Sequence, residues 1–312
     1  MAEVVNLNER VERFNTMAAG WNVADDYGLL KTISLTSVQL ERITTALNFY
    51  LYASLCAWYE NENIVFSNNI LKDQEANIRN LPNITPNGLV LPKTENCAAY
   101  NTLHNVFAKV FEEIKIGSHI ESIQYPINIR LQSGSPNSTL DTRPRSSVKP
   151  HTDIWAGDPA SGMVVFLSLL GDPQKTGIRF LKPDIFPESF VKTLDDYDLG
   201  QEVVNQSVEL PCELVNGKFF IMDPYMIHRT TKNGEGLRVS LDFRFIPKQQ
   251  VVSDKMVDLE RGPYFISFEK WSQIGKDIWM SSPESIKSPY KKTSSQDFTI
   301  GYPSKINLVE TV

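Results

Sequence analysis

Histidine and cysteine are scarce in this 312-residue chain. There are four of the first (His104, His119, His151, His228) and three of the second (Cys56, Cys97, Cys212). Three widely spaced cysteines make neither a CxxC zinc pattern nor a disulfide framework, which points to a reducing compartment. An excess of positive charge is missing too: the formal net charge of −6 argues against a non-specific nucleic-acid binder, which carries a basic stripe. No apolar run approaches the length needed to span a bilayer. The opening MAEVVNLNERVERF mixes acids and bases and has no apolar stretch of the signal-peptide kind. These absences set the expectation of a cytoplasmic protein with neither nucleic acid nor membrane as a partner. No internal repeat is visible.

What is present fits a soluble enzyme: hydrophobic residues make up 41% and charged residues 22% of the chain. The length suits one large domain or one domain with additions. The first third reads as helical. Thr36 can cap a helix with Gln39 closing the box, and Val38, Ile43, Leu47, Tyr50, Leu51 and Leu55 recur at helical spacing. A second amphipathic stretch runs from about Tyr100 to Ile116, with Leu103, Val106, Phe107, Val110, Phe111 and Ile114 on one side. Between them, residues 61–95 carry Asn80-Leu81-Pro82-Asn83 and Pro86-Asn87-Gly88 and read as loop.

From about residue 120 the pattern changes to short strands. Tyr125–Gln132 alternates, and Met163–Leu170 is a continuous apolar run fit for a buried strand. Ile178–Leu181, Val203–Leu210, Lys218–Asp223 and Leu237–Ile246 follow with turn signals between them. Helices first and strands after predict an α+β protein, and a double-sheet jelly roll fits the strand count. The expected layout is a helical extension over 1–119, a catalytic core over 120–247 and a C-terminal extension over 248–312, all in one structural unit. The last part holds Trp271, Trp279 and a polar Ser/Lys-rich stretch. A lid, a homodimer contact and simple packing are all open for it.

His151-Thr152-Asp153 places an imidazole and a carboxylate on alternate residues, so an extended backbone would point both one way. His228 lies far downstream, after the strand-like FFIMDPYMI. Two imidazoles and one carboxylate on one face of a metal leave positions open, which suits iron(II) and oxygen. Zinc accepts the same ligands. An isolated HxD is weak evidence, and His104 and His119 read as packed or surface residues. The signal strengthens after His228, where Asn233-Gly234 marks a turn and LRVSLDFRF, with Arg238 ten positions beyond His228, alternates as a strand. Arg238 and Ser240 share its parity, and a guanidinium fork beside a hydroxyl can grip a carboxylate bidentately. Asp242 has the same parity and could be an internal partner for Arg238, a surface ion pair being the plainer reading of that arginine. Arg244 continues the parity and reads as structural; Arg229 has no assignment. The run Arg143, Arg145, Lys149 reads first as a solvated loop and second as a contact for an anionic substrate.

HTD at 151–153, His228 and RVSLDFRF from Arg238 resemble the iron(II)/2-oxoglutarate-dependent oxygenases. The likeness leans to the phytanoyl-CoA-hydroxylase-like and streptomycin-biosynthesis-type branch. Ile154-Trp155-Ala156-Gly157-Asp158-Pro159 adds to it, and it covers roughly residues 120–247. The resemblance implies a double-stranded β-helix with a helical N-terminal region packed on it. His151, Asp153 and His228 would hold Fe(II), with O2 and 2-oxoglutarate as cosubstrates and succinate and CO2 as products. Arg238 and Ser240 would take the far carboxylate of 2-oxoglutarate. Asn128 or Arg130, which share parity with Gln132, would meet the near one. A small-molecule substrate such as a sugar, an amino-acid derivative or a secondary metabolite would lose hydrogen from a C–H bond. Asp153 disfavours halogenation, and Trp155 could wall the pocket or belong to the core. A cupin-like metal enzyme without 2-oxoglutarate and a metal-free jelly-roll binding module stay open as alternatives. A protein-modifying oxygenase ranks lower, because no interaction module is evident.

Overall fold

The computed structural model describes residues 3–59, 63–82, 84–85, 87–90, 92–248, 265–281 and 307–310. Thr36 caps the helix Ser37–Trp58 as its sequence predicts: its Oγ1 accepts from Gln39 N at 3.2 Å, and Gln39 Oε1 accepts from Thr36 N at 3.0 Å. Ile43, Leu47, Tyr50, Leu51 and Leu55 are buried, whereas Val38 is exposed in the first turn. The second amphipathic stretch is the helix Cys97–Glu113, which buries Leu103, Phe107, Val110 and Phe111. Residues 61–95 are not all loop. Two short helices, Ile70–Asp73 and Glu75–Arg79, bury Ile70, Leu71 and Ile78, too few apolar positions to reveal a helical period.

The strands are β1 (Asp25–Asp26), β2 (Leu30–Ser34), β3 (Leu89–Val90), β4 (Ile120–Gln124), β5 (Asn128–Ser133), β6 (Met163–Gly171) and β7 (Thr176–Pro183). Then come β8 (Ser207–Glu209), β9 (Lys218–Met222), β10 (Ile227–Lys232), β11 (Leu237–Pro247), β12 (Phe265–Ser267), β13 (Ile278–Ser281) and β14 (Asn307–Glu310). A large antiparallel sheet runs β1-β2-β9-β6-β11-β4-β12, with β5 paired to the first half of β11 and β3 to β5. A smaller sheet runs β10-β7-β8. The protein is therefore a mixture of helix and antiparallel sheet. Two expectations change in detail. Val203 and Val204 belong to the short helix Gln201–Asn205, leaving only Ser207–Glu209 as strand. The first 119 residues are not purely helical either, since β2 pairs along β9.

Period-two alternation sorts the large sheet into two cores. On β6 and β11, Val165, Leu167, Leu169, Val239, Leu241, Phe243 and Phe245 pack with the helices. Phe243 meets the rings of Phe107 and Phe111 at centroid distances of 5.6 and 5.5 Å. Val164 and Phe166 on the opposite face of β6 join Ile178 and Phe180 of β7 and Phe220 of β9 between the sheets. Burial on both faces is why the β6 sequence is continuously apolar. The even residues of β11 (Arg238, Ser240, Asp242, Arg244) lie on the face turned away from the helices, and there they build the site.

For the C-terminal extension, the described part is packing. Trp271 is fully buried, and its Nε1 donates to Gln124 O at 3.1 Å. The Asn101 amide brackets Met280, donating to its carbonyl at 2.8 Å and accepting from its N–H at 2.9 Å. The Ser/Lys-rich stretch lies outside the described residues. None of the described helices is long and apolar enough to cross a membrane, and all three cysteines are free.

Two stability outcomes follow from this packing. Trp271→Ala should cost about 3–5 kcal/mol in denaturant unfolding; a loss below about 1 kcal/mol would make the tail peripheral. His104 donates from Nε2 to Trp271 O at 3.0 Å, while its buried Nδ1 lacks a partner. Burial pushes its pKa down from 6.5 to about 4. The unfolded chain then takes a proton the folded one refuses, so stability is full above about pH 6.5 and falls as the pH drops toward about 4. His104→Phe should flatten stability across that window, read from unfolding at stepped pH.

Candidate metal and carboxylate site

His151 and His228 meet as a backbone pair. His151 N donates to His228 O at 3.0 Å, and His228 N donates to His151 O at 2.8 Å. This pairing sets the segment before Thr152 along the free edge of β10 and brings the two rings to a centroid distance of 4.5 Å. Each ring is then oriented by a carbonyl two residues earlier. His151 Nδ1 lies 2.8 Å from Lys149 O, and His228 Nδ1 lies 3.3 Å from Met226 O. A carbonyl only accepts, so Nδ1 carries the hydrogen and the Nε2 lone pair is left for a Lewis acid. Burial, reinforced by His228 alongside, pushes the His151 pKa down to about 3 and keeps it neutral at pH 7.

Asp153 arrives differently from the alternating strand expected. Thr152 is extended (φ −106°, ψ 157°) and caps a single helical turn, Asp153–Ala156, in which Asp153 is the first residue. Its Oδ2 lies 3.9 Å from His228 Nε2, and the side chain is buried. The three predicted metal residues are thus brought together. Cis ligands on bonds of about 2.1 Å stand about 3 Å apart, so the carboxylate must turn inward by about an ångström on binding. As the side chains stand, no group of three His, Cys, Asp or Glu among the described residues could hold a metal ion. The donor set itself, two imidazoles and one carboxylate, is of the kind that suits a divalent transition metal.

Arg244, read from sequence as structural, sits on the metal side of this arrangement. Its Nη2 pairs with Asp153 Oδ1, its Nε with Asp158 at 2.8 Å and its Nη1 with Asp242 at 2.7 Å. One oxygen of Asp153 is thereby occupied and the other left facing His228. Burial alone would raise the Asp153 pKa, but the Arg244 guanidinium outweighs it and holds the carboxyl well below the usual range.

Asp242 is not the partner of Arg238. It accepts from Arg130 Nε at 2.6 Å, from Asn128 Nδ2 at 3.0 Å and from Arg244. Against the opposing effect of burial, Arg130 and Arg244 hold its pKa down to about 2. Asn128 and Arg130 therefore face the interior, engaged with this carboxylate, and Arg130 also donates to Asn87 O at 3.0 Å.

Arg238 has no surface ion pair. It is 1% exposed, lies over the Phe166 ring at 5.1 Å and donates from Nη1 to Thr176 O at 2.7 Å. Its Nε has no hydrogen-bond partner, nor do the buried Ser240 Oγ and Thr176 Oγ1 beside it. Burial and the charge of Arg130 lower its pKa to about 9, still protonated at pH 7. A buried cation with an unused N–H, with two unused buried hydroxyls on its own and the contacting strand, has the chemistry to receive a carboxylate. Thr176 gave no signal in sequence. Its strand was visible, but which of its residues meets Arg238 depends on how the two sheets are stacked.

Residues flanking the site resolve as follows. Trp155 is fully buried, with Nε1 donating to Phe190 O at 3.2 Å, which places it in the core. The basic run is not a free loop: Arg145 pairs with Asp195 at 3.1 Å and Lys149 with Asp196 at 2.8 Å. Arg143 donates to Asn87 Oδ1 at 2.7 Å. Tyr197, within the acidic stretch that answers this run, stacks on His151 at 4.5 Å with an interplanar angle of 3°. It was invisible in sequence, although the opposed charge runs were a usable sign of contact.

Keeping a guanidinium buried with part of its hydrogen-bonding capacity unused costs stability. Arg238→Met should leave the metal-free protein at least as stable as the natural one, by about 1 kcal/mol or more, in chemical denaturation. A clear destabilisation would mean that Arg238 serves the fold.

No protein-family model matches the sequence, and no curated protein matches it. Among solved structures, the chain is similar to the non-heme alpha ketoglutarate dependent carbocyclase SnoK from nogalamycin biosynthesis, at 10% identity. That match covers 77% of this chain and 84% of the other, with a TM-score of 0.41. It is similar to the alpha ketoglutarate dependent epimerase SnoN of the same biosynthesis, at 12% identity, 76% and 82% coverage and a TM-score of 0.34. A third is an N-substituted L-amino acid dioxygenase from Burkholderia ambifaria AMMD, at 9% identity, 75% and 87% coverage and a TM-score of 0.36. The reading of the site rests on the distances above.

Proposed function

We propose that the protein is a non-haem iron(II)/2-oxoglutarate-dependent oxygenase. It would hydroxylate, or otherwise oxidise, an unactivated C–H bond of a small molecule such as a sugar, an amino-acid derivative or a secondary metabolite, releasing succinate and CO2. The observation that carries this reading is the buried Arg238, which makes no ion pair among the described residues, together with the unpartnered Ser240 Oγ and Thr176 Oγ1. Arg238 lies on the same face of β11 as Asp242 and Arg244, and Arg244 pairs with both Asp242 and Asp153. The strand order supports the accompanying fold assignment. With His151 bridged to β10, one sheet reads β9-β6-β11-β5 and the other His151-β10-β7-β8. We read residues 120–247 as a double-stranded β-helix, a closed double-sheet jelly roll with the site between its sheets.

In this reading His151 Nε2, His228 Nε2 and Asp153 Oδ2 hold iron(II). When bound, the iron with 2-oxoglutarate and O2 supplies the oxidising equivalents for the C–H bond. The chain's own residues do the rest. Arg238 donates to the far carboxylate of the cosubstrate, and Ser240 and Thr176 add hydroxyl donors, replacing its hydration with fixed dipoles. Phe166 supplies an apolar floor beneath the guanidinium. Asn128 and Arg130 are the donors for the near carboxylate, shared with Asp242. Arg244 keeps Asp153 ionised and singly available.

Succinate formation from 2-oxoglutarate with iron(II), screened across candidate metabolites, tests the reaction; stimulation by one compound names the substrate. His228→Ala should abolish metal binding and turnover while leaving the far-ultraviolet circular dichroism unchanged. Arg238→Met should weaken 2-oxoglutarate binding at least about 100-fold, the loss of a charge-assisted contact worth about 3 kcal/mol, and leave metal affinity intact. Metal binding with no response to Arg238→Met would favour a cupin-like enzyme that does not use 2-oxoglutarate. No iron in anaerobically prepared protein, with His151→Ala changing nothing, would favour a metal-free binding module.

A further inference from the structure

The segment around Tyr197 has no role in the reading above, yet it is fastened to the metal side at several points. Leu194 N donates to Trp155 O at 3.0 Å, Arg145 Nε donates to Leu194 O at 2.8 Å, and Tyr197 N donates to Pro144 O at 3.1 Å. Lys149 contributes most. Its ammonium contacts Asp196 at 2.8 Å and Asp198 at 2.5 Å, the two residues on either side of Tyr197. The backbone carbonyl of that same lysine receives the Nδ1–H of His151. The side chain of Lys149 is only 15% exposed, so its two ion pairs are partly shielded from solvent.

The hydrogen bond to Lys149 O selects the tautomer of His151 but leaves the ring plane free to tilt about that bond. Tyr197 closes this freedom. Its ring lies parallel to the imidazole, at 3° and 4.5 Å, within the range of offset stacking. It is 6% exposed, so it also shields one face of the ligand from water. We propose that Tyr197 is a positioning residue for His151, held against it by the Lys149 clamp, and that together they aim the Nε2 lone pair of that ligand. The hydroxyl has no part in this; the aromatic face has. The proposal rests on the metal reading of His151, Asp153 and His228.

The test is a titration of the full-length, metal-free protein with Mn(II), read by electron paramagnetic resonance, so that no turnover is needed. Tyr197→Leu removes the aromatic face and should weaken Mn(II) binding about tenfold or more, the usual scale for a residue supporting a metal ligand. Tyr197→Phe keeps the ring and should stay within about twofold of the natural protein. Lys149→Met should weaken binding several-fold, with no change in the ligand set seen in the spectrum. Equal affinity for Tyr197→Leu and the natural protein overturns the proposal, as does a Phe variant as weak as the Leu variant. Should Tyr197→Leu fail to fold, Lys149→Met decides: weakened binding supports the clamp, and unchanged binding overturns it. No Mn(II) binding by the natural protein would instead sink the metal reading itself.

Discussion

A buried guanidinium that makes no ion pair among the described residues is the constraint around which this interior is arranged. Three arginines and three aspartates are gathered near the even face of β11, and the pairing among them is uneven. Arg244 engages Asp153, Asp158 and Asp242, and Arg130 shares Asp242. Arg238, on the same face, has a backbone carbonyl, an aromatic ring and an unused N–H. A sequence selected for stability alone would pair or replace it. Asp153, Asp158 and Asp242 are instead held by Arg130 and Arg244, and departures of this kind from the most stable pairing are expected where a protein works.

The backbone supplies the other half of the arrangement. Two reciprocal hydrogen bonds between His151 and His228 join positions far apart in sequence, and the carbonyls of Lys149 and Met226 then fix the tautomer of each ring. The turn between β9 and β10, which leads into His228, is itself tied down. Asp223, at the end of β9, pairs with Arg10 of the helix Leu7–Met17 at 2.8 Å, and Arg10 also donates to Ala160 O at 2.6 Å. Thus the N-terminal segment braces the approach to β10 from outside the sheets. Arg244 completes the set by occupying one Asp153 oxygen and leaving the other facing His228.

Much of this was legible in the sequence because it depends on local periodicity. The capped helix after Thr36, the apolar run of β6 and the parity of Arg238 with Ser240 each follow from neighbours within a few residues. What escaped depends on the relation between elements. The extended reading of His151-Thr152-Asp153 failed at Asp153 because Thr152 can cap a helical turn, a choice the tripeptide alone does not settle. Asp242 was offered as a partner for Arg238, but its place on Arg130 and Arg244 is decided by the register of β5 against β11, where Asp242 lies opposite Asn128. Thr176 and Tyr197 reach the site only through sheet stacking and loop packing, for which no periodic signal exists. The short helices between residues 70 and 79 were hidden among asparagines and prolines because each buries only one or two apolar side chains.

The most direct measurement is a crystal structure of the protein grown without oxygen in the presence of Mn(II) and 2-oxoglutarate. The metal is expected on His151 Nε2, His228 Nε2 and one oxygen of Asp153, with Arg244 keeping the other oxygen. The far carboxylate of 2-oxoglutarate is expected on Arg238 and Ser240. A metal bound elsewhere, or a cosubstrate whose carboxylate leaves Arg238 untouched, would contradict the central claim.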